Sequence, residues 1–326
     1  MPVVIAYAFV VLIWSTTPLA IQWSNSSVPF IASVTIRMVL ALIVCSLLLV
    51  ILRKPLVTDR RDWLAFVAGA VGLYPNMLIV YWSSQFISSG LMAVILGVYP
   101  FVVGLFSLLF LRENIFSPIR FLALAIAISG LAVIHIEQLN LGGDAIYGVF
   151  GMLASAFLFG FSSVWLKISG AHIDPLRQST GALVFAVPAF VATWWLLGGE
   201  FTAVVDIKSM VGLGYLAIAG SVIGHTLFFY VLRYCSMMSV SLITLITPVM
   251  ALSLGVVVAK ELVTVATVVG SLMVVLSLAV YQGVFTYLWR YFEKQYLQVW
   301  CIRRKQVPSL LQSNMSCLDK SVLIVS

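Results

Sequence analysis

An arginine inside an apolar run is the first residue of this chain that could do chemistry. Arg37 follows Pro29 in a stretch that carries no other charge. An arginine near the centre of a membrane span costs about 2.5–3.5 kcal/mol on insertion scales, so something must compensate its charge. Two interpretations stay open. The guanidinium either faces a cavity and binds a carboxylate or phosphate of a solute, or it is structural, bonded to backbone carbonyls or extended toward the membrane surface.

A single histidine, His225, lies near the middle of an apolar run, and no Asp or Glu occupies such a position. A proton relay built from carboxylates is therefore not predicted. Because histidine changes charge near neutral pH, His225 is the candidate for carrying a coupled proton. The alternative is a neutral imidazole that is hydrogen-bonded within the helix bundle.

Further polar and aromatic residues fall inside apolar runs, where an unpaired polar group would be costly in hydrocarbon. We therefore expect them to face inward and to form the wall of a solute cavity. A wall of hydroxyls, amides and aromatic rings with one cation suits a small amphipathic or zwitterionic solute, whereas a bare cation would need carboxylates. These candidates are Trp14, Ser15, Thr17, Tyr74, Asn76, Tyr81, Gln85, Thr244 and Thr247.

The elements that must position these residues are membrane-spanning helices. The chain is 62% hydrophobic and only 9% charged, which excludes a soluble globular domain. Apolar runs long enough for a hydrocarbon core of roughly 30 Å predict an all-α polytopic membrane protein with ten transmembrane helices. The predicted spans cover approximately 3–22, 29–51, 63–84, 89–111, 117–136, 145–166, 178–198, 209–232, 238–259 and 262–283.

The distribution of Lys and Arg predicts the orientation of these spans. Fifteen of the eighteen basic residues fall on one side, Lys208 and Lys260 fall on the other, and Arg37 lies within a span. Because basic residues accumulate on the cytoplasmic side, both termini are predicted to be cytoplasmic.

Two stretches of the chain share one pattern. Ser88 to Glu113 and Ser236 to Glu261 are equally long apolar runs, with Pro100 and Pro248 at equivalent positions and a basic-acidic pair at the end of each. The two prolines are candidates for helix breaks or gating. We predict two five-helix repeats, 1–138 and 139–283, followed by a cytoplasmic tail, 284–326. An odd number of spans per repeat inverts the second copy, an architecture typical of secondary transporters. The alternative is a duplication that only enlarged the bundle.

These features resemble the drug/metabolite transporter superfamily, specifically its ten-helix members with two EamA-type domains. Membership would imply export or uptake of small metabolites, often amino acids or related compounds, across the plasma (bacterial inner) membrane. Leu183 stands where a second Arg37 would be, so any role of Arg37 is not duplicated. The resemblance rests on Trp14-Ser15-Thr16-Thr17, Pro29, Arg37, Pro100, Pro248, Glu113 and Glu261.

The predicted function is thus a secondary transporter that moves a small metabolite, an amino acid or related amphipathic solute, by alternating access. The alternative is an exporter of drugs or other neutral or cationic solutes. A channel-like pore suits hydroxyl-lined spans but does not need an inverted duplication. An integral-membrane enzyme would need converging catalytic residues, and three scattered histidines do not supply them.

The remaining expectations concern partners. The tail after residue 283 interleaves aromatic and basic residues, which predicts an amphipathic helix on membrane lipids. Nucleic acid is not an expected partner, and a homodimer is left open. No cofactor is implied, and the four cysteines show no metal-type spacing.

Overall fold

The computed structural model describes the greater part of the chain. The described residues are 2–112, 118–119, 122–123, 125–127, 129–130, 133, 143–170, 172–200, 205–241, 243–244, 247, 250, 264–281 and 283. Met1–Gln282 forms one compact unit, and Gly283–Ser326 forms a second, of which Gly283 is described.

Every regular element in the described residues is a helix, which confirms the all-α prediction. One of them is the π-helix Leu216–His225. The α-helices are α1 Val3–Ser24, α2 Phe30–Ile51, α3 Asp62–Val71, α4 Asn76–Ser83, α5 Ser89–Leu96, α6 Tyr99–Leu111, α7 Ala145–Ser169, α8 Pro175–Leu196, α9 Ile207–Tyr215, α10 Thr226–Tyr234, α11 Met237–Ser241 and α12 Val265–Tyr281.

Polar residues mark the helix starts inside this apolar sequence. Asp174 caps α8, where its carboxylate accepts from the Leu176 amide and Pro175 occupies the first helical position. Ser88 caps α5 in the same way. Such caps satisfy amides that have no partner within the helix.

In the described residues, seven helical stretches are long and apolar enough to cross a membrane, and they coincide with seven of the ten predicted spans. Half of the predicted fifth span and most of the ninth lie on residues outside the described part, and the tenth contains the shorter helix α12. The seven spans are Val3–Ser24, Phe30–Ile51, Asp62–Ser83, Ser89–Leu111, Ala145–Ser169, Pro175–Leu196 and Ile207–Tyr234.

Three of these spans are not regular α-helices throughout, and one of them, Ile207–Tyr234, contains the π-helix Leu216–His225. The span Asp62–Ser83 is interrupted between α3 and α4, before Asn76. The span Ser89–Leu111 is interrupted at Gly97 and Val98, so that Pro100 is the second residue of α6. Interruptions of this kind free backbone groups at membrane depth, where only protein or a water-filled cavity can satisfy them.

The main packing joins helices from the two predicted halves of the chain. Helices α2 and α3 pack on α8, α4 and α6 pack on α7, and α1 packs on α9, the π-helix and α10. Close approach depends on small residues, as at Gly181 in α8, where an added Cβ would lie 2.2 Å from the Phe66 ring of α3.

Replacing Gly181 with alanine is expected to lower the free energy of unfolding by about 1–3 kcal/mol, because the Phe66 ring must move out of a packed core. Gly214→Ala is the matched control, since a Cβ there meets nothing within 4 Å. Alanine is also the better helix former, so this control should unfold at or above the wild-type temperature. Thermal unfolding in detergent compares the two, and equal melting temperatures would contradict the packing argument.

Candidate functional site

A cavity of about 90 Å³ lies among the helices where the two predicted halves meet. This volume is enough for several water molecules or a small solute. Most of its wall consists of apolar side chains such as Val80, Met92 and Leu96. Seven of the residues predicted from the sequence line it: Trp14, Thr17, Arg37, Asn76, His225, Thr244 and Thr247.

Arg37 reaches the cavity from α2 and is 1% exposed. Its Nε donates to the Ser221 hydroxyl at 2.8 Å, and its Nη1 donates to the Tyr81 hydroxyl at 3.3 Å. Among the described residues no carboxylate lies within 4.0 Å of the guanidinium. The cation is therefore held by neutral groups, and its positive charge is not balanced by a described side chain.

The π-helix provides both the space for the Arg37 guanidinium and one of its hydrogen-bond acceptors. An added Cβ at Gly220 would lie 3.1 Å from Nη2 of Arg37, so the missing side chain leaves room for the guanidinium. Ser221 follows at once as the hydrogen-bond acceptor, and the π-helix ends at His225, which also lines the cavity. π-helical turns are rare and often occur at functional sites.

Aromatic rings form one side of the cavity, where Trp14, Tyr99 and Phe159 line it and Phe228 packs against Trp14 and Phe159. The Trp14 ring centroid lies 5.6 Å from that of Phe159 and 4.8 Å from that of Phe228. Tyr99 lies 5.0 Å from Phe159 and is fully buried. These rings come from α1, α6, α7 and α10, so the aromatic side is shared between the two halves.

The threonines that line the cavity donate their protons to their own helices. Thr17 donates to the carbonyl of Ile13, Thr244 to that of Ser241, and Thr247 to that of Ile243, at 2.7–2.8 Å. A hydroxyl whose proton is used in this way has lone pairs left over. These three side chains can therefore act toward a solute as acceptors.

Asn76, the first residue of α4, is fixed in one orientation. Its Nδ2 donates to the Gly72 carbonyl at 2.9 Å, and its Oδ1 accepts from the Ser155 hydroxyl at 2.6 Å. Asn76 and Ser155 are both buried and both line the cavity. Their pairing ties α4 to α7 beside the site.

The other predicted site residues lie elsewhere. Tyr81 is buried behind Arg37 and orients it. The Ser15 hydroxyl donates to the Val11 carbonyl, and the Tyr74 hydroxyl pairs with that of Thr193 at 2.8 Å. Gln85 is exposed beyond the end of α4. None of these four is among the residues that line the described cavity.

The two prolines were predicted as helix breaks or gates. Pro100 lies just after the interruption between α5 and α6, and Pro248 lies outside the described residues. Their role in gating stays a prediction.

Four polar or aromatic residues of the site were not predicted from the sequence: Tyr99, Ser155, Phe159 and Ser221. Only Ser221 carried a usable signal, because it lies four residues before His225 and so near the same face of a helix. The others sit in runs whose apolar composition gives no indication of a facing direction. In the described part of the chain, no group of three or more His, Cys, Asp or Glu side chains could hold a metal ion.

Several relatives of this chain are named as transporters. It is 22% identical over 281 residues to the uncharacterized transporter YoaV of Bacillus subtilis, an alignment that covers 85% of this chain and 95% of the relative. It is 26% identical over 252 residues to the uncharacterized inner membrane transporter YedA of Escherichia coli, covering 75% and 78%.

The fold also matches a solved structure. A crystal structure whose chain is 17% identical superposes with a TM-score of 0.65, covering 89% of this chain and 98% of that one. The model of the EamA-like transporter family matches residues 1–136 and 146–282. Together with the apolar helices, these matches identify a multi-pass membrane transporter, and the chain belongs to the EamA-like transporter family.

Proposed function

We propose that this transporter moves a small solute that carries a carboxylate, an amino acid or a related amphipathic metabolite. The observation that carries the proposal is Arg37, a 1% exposed guanidinium at the cavity with no described carboxylate beside it. A buried charge without a counter-charge is costly, and a solute carboxylate would offset that cost. Planar guanidinium groups bind carboxylates through paired hydrogen bonds.

The threonines that line the cavity favour a solute that carries a hydrogen-bond donor in addition to its carboxylate. Thr17, Thr244 and Thr247 have used their protons on backbone carbonyls and have only acceptor capacity left. A protonated amine needs acceptors of this kind. A cation at one position and hydroxyl acceptors at others together suit a zwitterion better than a simple anion.

The size and the wall of the cavity limit the solute further. A cavity of about 90 Å³ favours a small solute. Apolar and aromatic side chains, including Met92, Tyr99 and Phe159, would contact an apolar side group. The solute is therefore expected to be small and amphipathic.

Transport is proposed to occur by alternating access. The family model matches two ranges of similar length, and the cavity lies where helices of those two ranges pack together. Two inverted halves can exchange conformations, which opens a central site to either side in turn. Both termini are proposed to be cytoplasmic, in agreement with the distribution of basic residues.

The test is uptake by proteoliposomes of the purified protein, using a panel of labelled amino acids and the amine that results from decarboxylating each of them. Saturable flux of an amino acid, with little flux of its amine, is the expected result. If the amine or a neutral drug-like compound moves while the amino acids do not, the second candidate, a neutral or cationic solute exporter, replaces the first. Its support is the mostly apolar wall of the cavity.

Arg37→Gln is expected to raise KM for the amino acid by about 10–150-fold, since a hydrogen bond to a charged group contributes about 1.5–3 kcal/mol. Tyr81→Phe should raise KM severalfold because the guanidinium loses one orienting hydroxyl. Tyr147→Phe is the matched control, since Tyr147 is 54% exposed and lies outside the cavity lining. If the Arg37→Gln variant folds normally and its KM is unchanged, Arg37 has a structural role and does not bind the solute.

Proton coupling is proposed to depend on His225. It lines the cavity near Arg37, and the described spans hold no acidic side chain near their middle. His225→Gln is expected to abolish the stimulation of uptake by an imposed pH gradient while leaving exchange of internal for external solute intact. If the pH gradient still stimulates uptake in this variant, a residue other than His225 carries the proton. If the gradient does not change uptake by the wild-type protein, transport is not coupled to protons.

A further inference from the structure

We propose that two aspartates, Asp62 and Asp206, act as clasps, each of which holds the two halves of the transporter together at one face. This inference rests on the proposed alternating access, because a solute can leave toward a face only when the halves separate there. In the structure both contacts are made. For the solute to leave toward either face, the contact at that face must break.

The first clasp surrounds Asp62 at the start of α3. The side chain is 1% exposed, and its Oδ2 lies 2.7 Å from Nη2 of Arg177, while its Oδ1 lies 2.9 Å from Nε2 of His172. Oδ2 also accepts from the amides of Thr58 and Asp59, at 2.8 and 3.2 Å. Asp62 belongs to the first half, whereas Arg177 and His172 belong to the second.

A neighbouring ion pair crosses the halves at the same face. Nζ of Lys54 lies 2.9 Å from Oδ2 of Asp174, and both side chains are partly exposed. Burial raises the pKa of Asp174, but the hydrogen bond and the charge of Lys54 lower it more, so the net pKa lies below the ordinary value. An exposed pair of this kind contributes little to stability, and the buried Asp62 contact is the principal one.

The second clasp surrounds Asp206, the residue that caps α9. Its carboxylate accepts from the hydroxyls of Ser26 and Ser27, at 2.8 and 3.1 Å, and from the Ser209 amide at 2.6 Å. The Asp206 amide in turn donates to the Ser27 hydroxyl at 3.0 Å. Here the aspartate belongs to the second half and the serines belong to the first.

The two clasps occupy equivalent places in the two halves. Asp62 and Asp206 each begin the third span of their half, and each binds the connection between the first two spans of the other half. They lie at opposite ends of α2, whose 22 residues rise about 33 Å. In an inverted repeat, a contact that is present in one copy recurs in the second copy at the opposite face of the membrane.

The two clasps differ in strength. The first is a buried ion pair with further hydrogen bonds, while the second joins an exposed carboxylate to neutral hydroxyls. Charge-assisted bonds in buried sites are the stronger ones. The face of Asp206 should therefore open more readily than the face of Asp62, which positive-inside orientation predicts to be cytoplasmic.

Accessibility of the cavity from each face tests the clasps separately from transport. Ala93 lines the cavity and is 2% exposed, so Ala93→Cys serves as the reporter. A membrane-impermeant methanethiosulfonate is added to right-side-out or inside-out vesicles. The four native cysteines are first replaced by alanine, at Cys45, Cys235, Cys301 and Cys317.

Arg177→Gln is expected to speed labelling from the face of Asp62 by about tenfold or more and not from the other face. Ser26→Ala with Ser27→Ala should speed labelling from the face of Asp206 by about two- to fivefold, without disturbing the cap of α9. Arg61→Gln is the matched control, because Arg61 is an exposed arginine next to Asp62 that forms no ion pair among the described residues. If Arg177→Gln does not accumulate, Asp62→Asn with Arg177→Gln removes both charges and leaves none unpaired.

The second clasp should not respond to pH in the ordinary range. Hydrogen bonds from the Ser209 amide and from the hydroxyls of Ser209 and Ser26 lower the pKa of Asp206 to about 2. A lowered pKa means that the contribution of the carboxylate is present above its ordinary pKa and is lost only as pH falls through about 2. Labelling from the face of Asp206 should therefore be the same at pH 6 and pH 8.

The proposal would be overturned if labelling of either clasp variant rose equally from both faces. It would also be overturned if Arg177→Gln and Arg61→Gln raised labelling equally. The result is independent of the solute. Face-specific labelling without amino-acid flux would keep the clasps and reject the proposed substrate class. Amino-acid flux without face-specific labelling would keep the substrate class and reject the clasps.

Discussion

The buried charge of Arg37 restricts how the helices around it can pack. A guanidinium inside a membrane must be surrounded by groups that stabilise it, and in this protein those groups are neutral. Ser221 and Tyr81 orient it, and Gly220 leaves the space that it fills. They come from two spans and Arg37 comes from a third, so the position of one side chain requires α2, α4 and the π-helix to pack in one arrangement.

The same requirement explains why the site lies between the two halves. Helices of one half pack mainly on helices of the other, and the cavity wall takes its polar groups from both. Asn76 binds Ser155 across this boundary, just as Arg37 binds Ser221. A movement of one half against the other would therefore change the distances between the very groups that would hold a solute.

Much of this architecture follows from composition. The thickness of the hydrocarbon core fixes the length of a span, so apolar runs alone located the seven spans that the structure describes. The cost of unpaired polar groups in lipid explains why Trp14, Thr17, Asn76 and His225, predicted from their polarity, lie at the cavity.

Other features depend on packing and could not be predicted from the sequence. Tyr74 satisfies its hydroxyl on Thr193, away from the cavity, and Gln85 lies past the end of α4, where water can solvate it. The polarity of a side chain indicates that it needs a hydrogen-bond partner, but it does not identify that partner. Ser155 and Phe159 lie in a run of small and apolar residues, where only the neighbouring helices decide which side faces the cavity.

The π-helix has a consequence for how this span can change during evolution. Its bonds join residues five apart, one more than in an α-helix, so the ten residues Leu216–His225 include more chain than an α-helical segment with the same number of turns. Removing one residue between Ser221 and His225 would favour ordinary α-helical bonding and would shorten the segment that separates these two side chains. Such a deletion would move His225 relative to Ser221 and Arg37. Chain length in this segment is therefore as much a determinant of the site as the identity of its side chains.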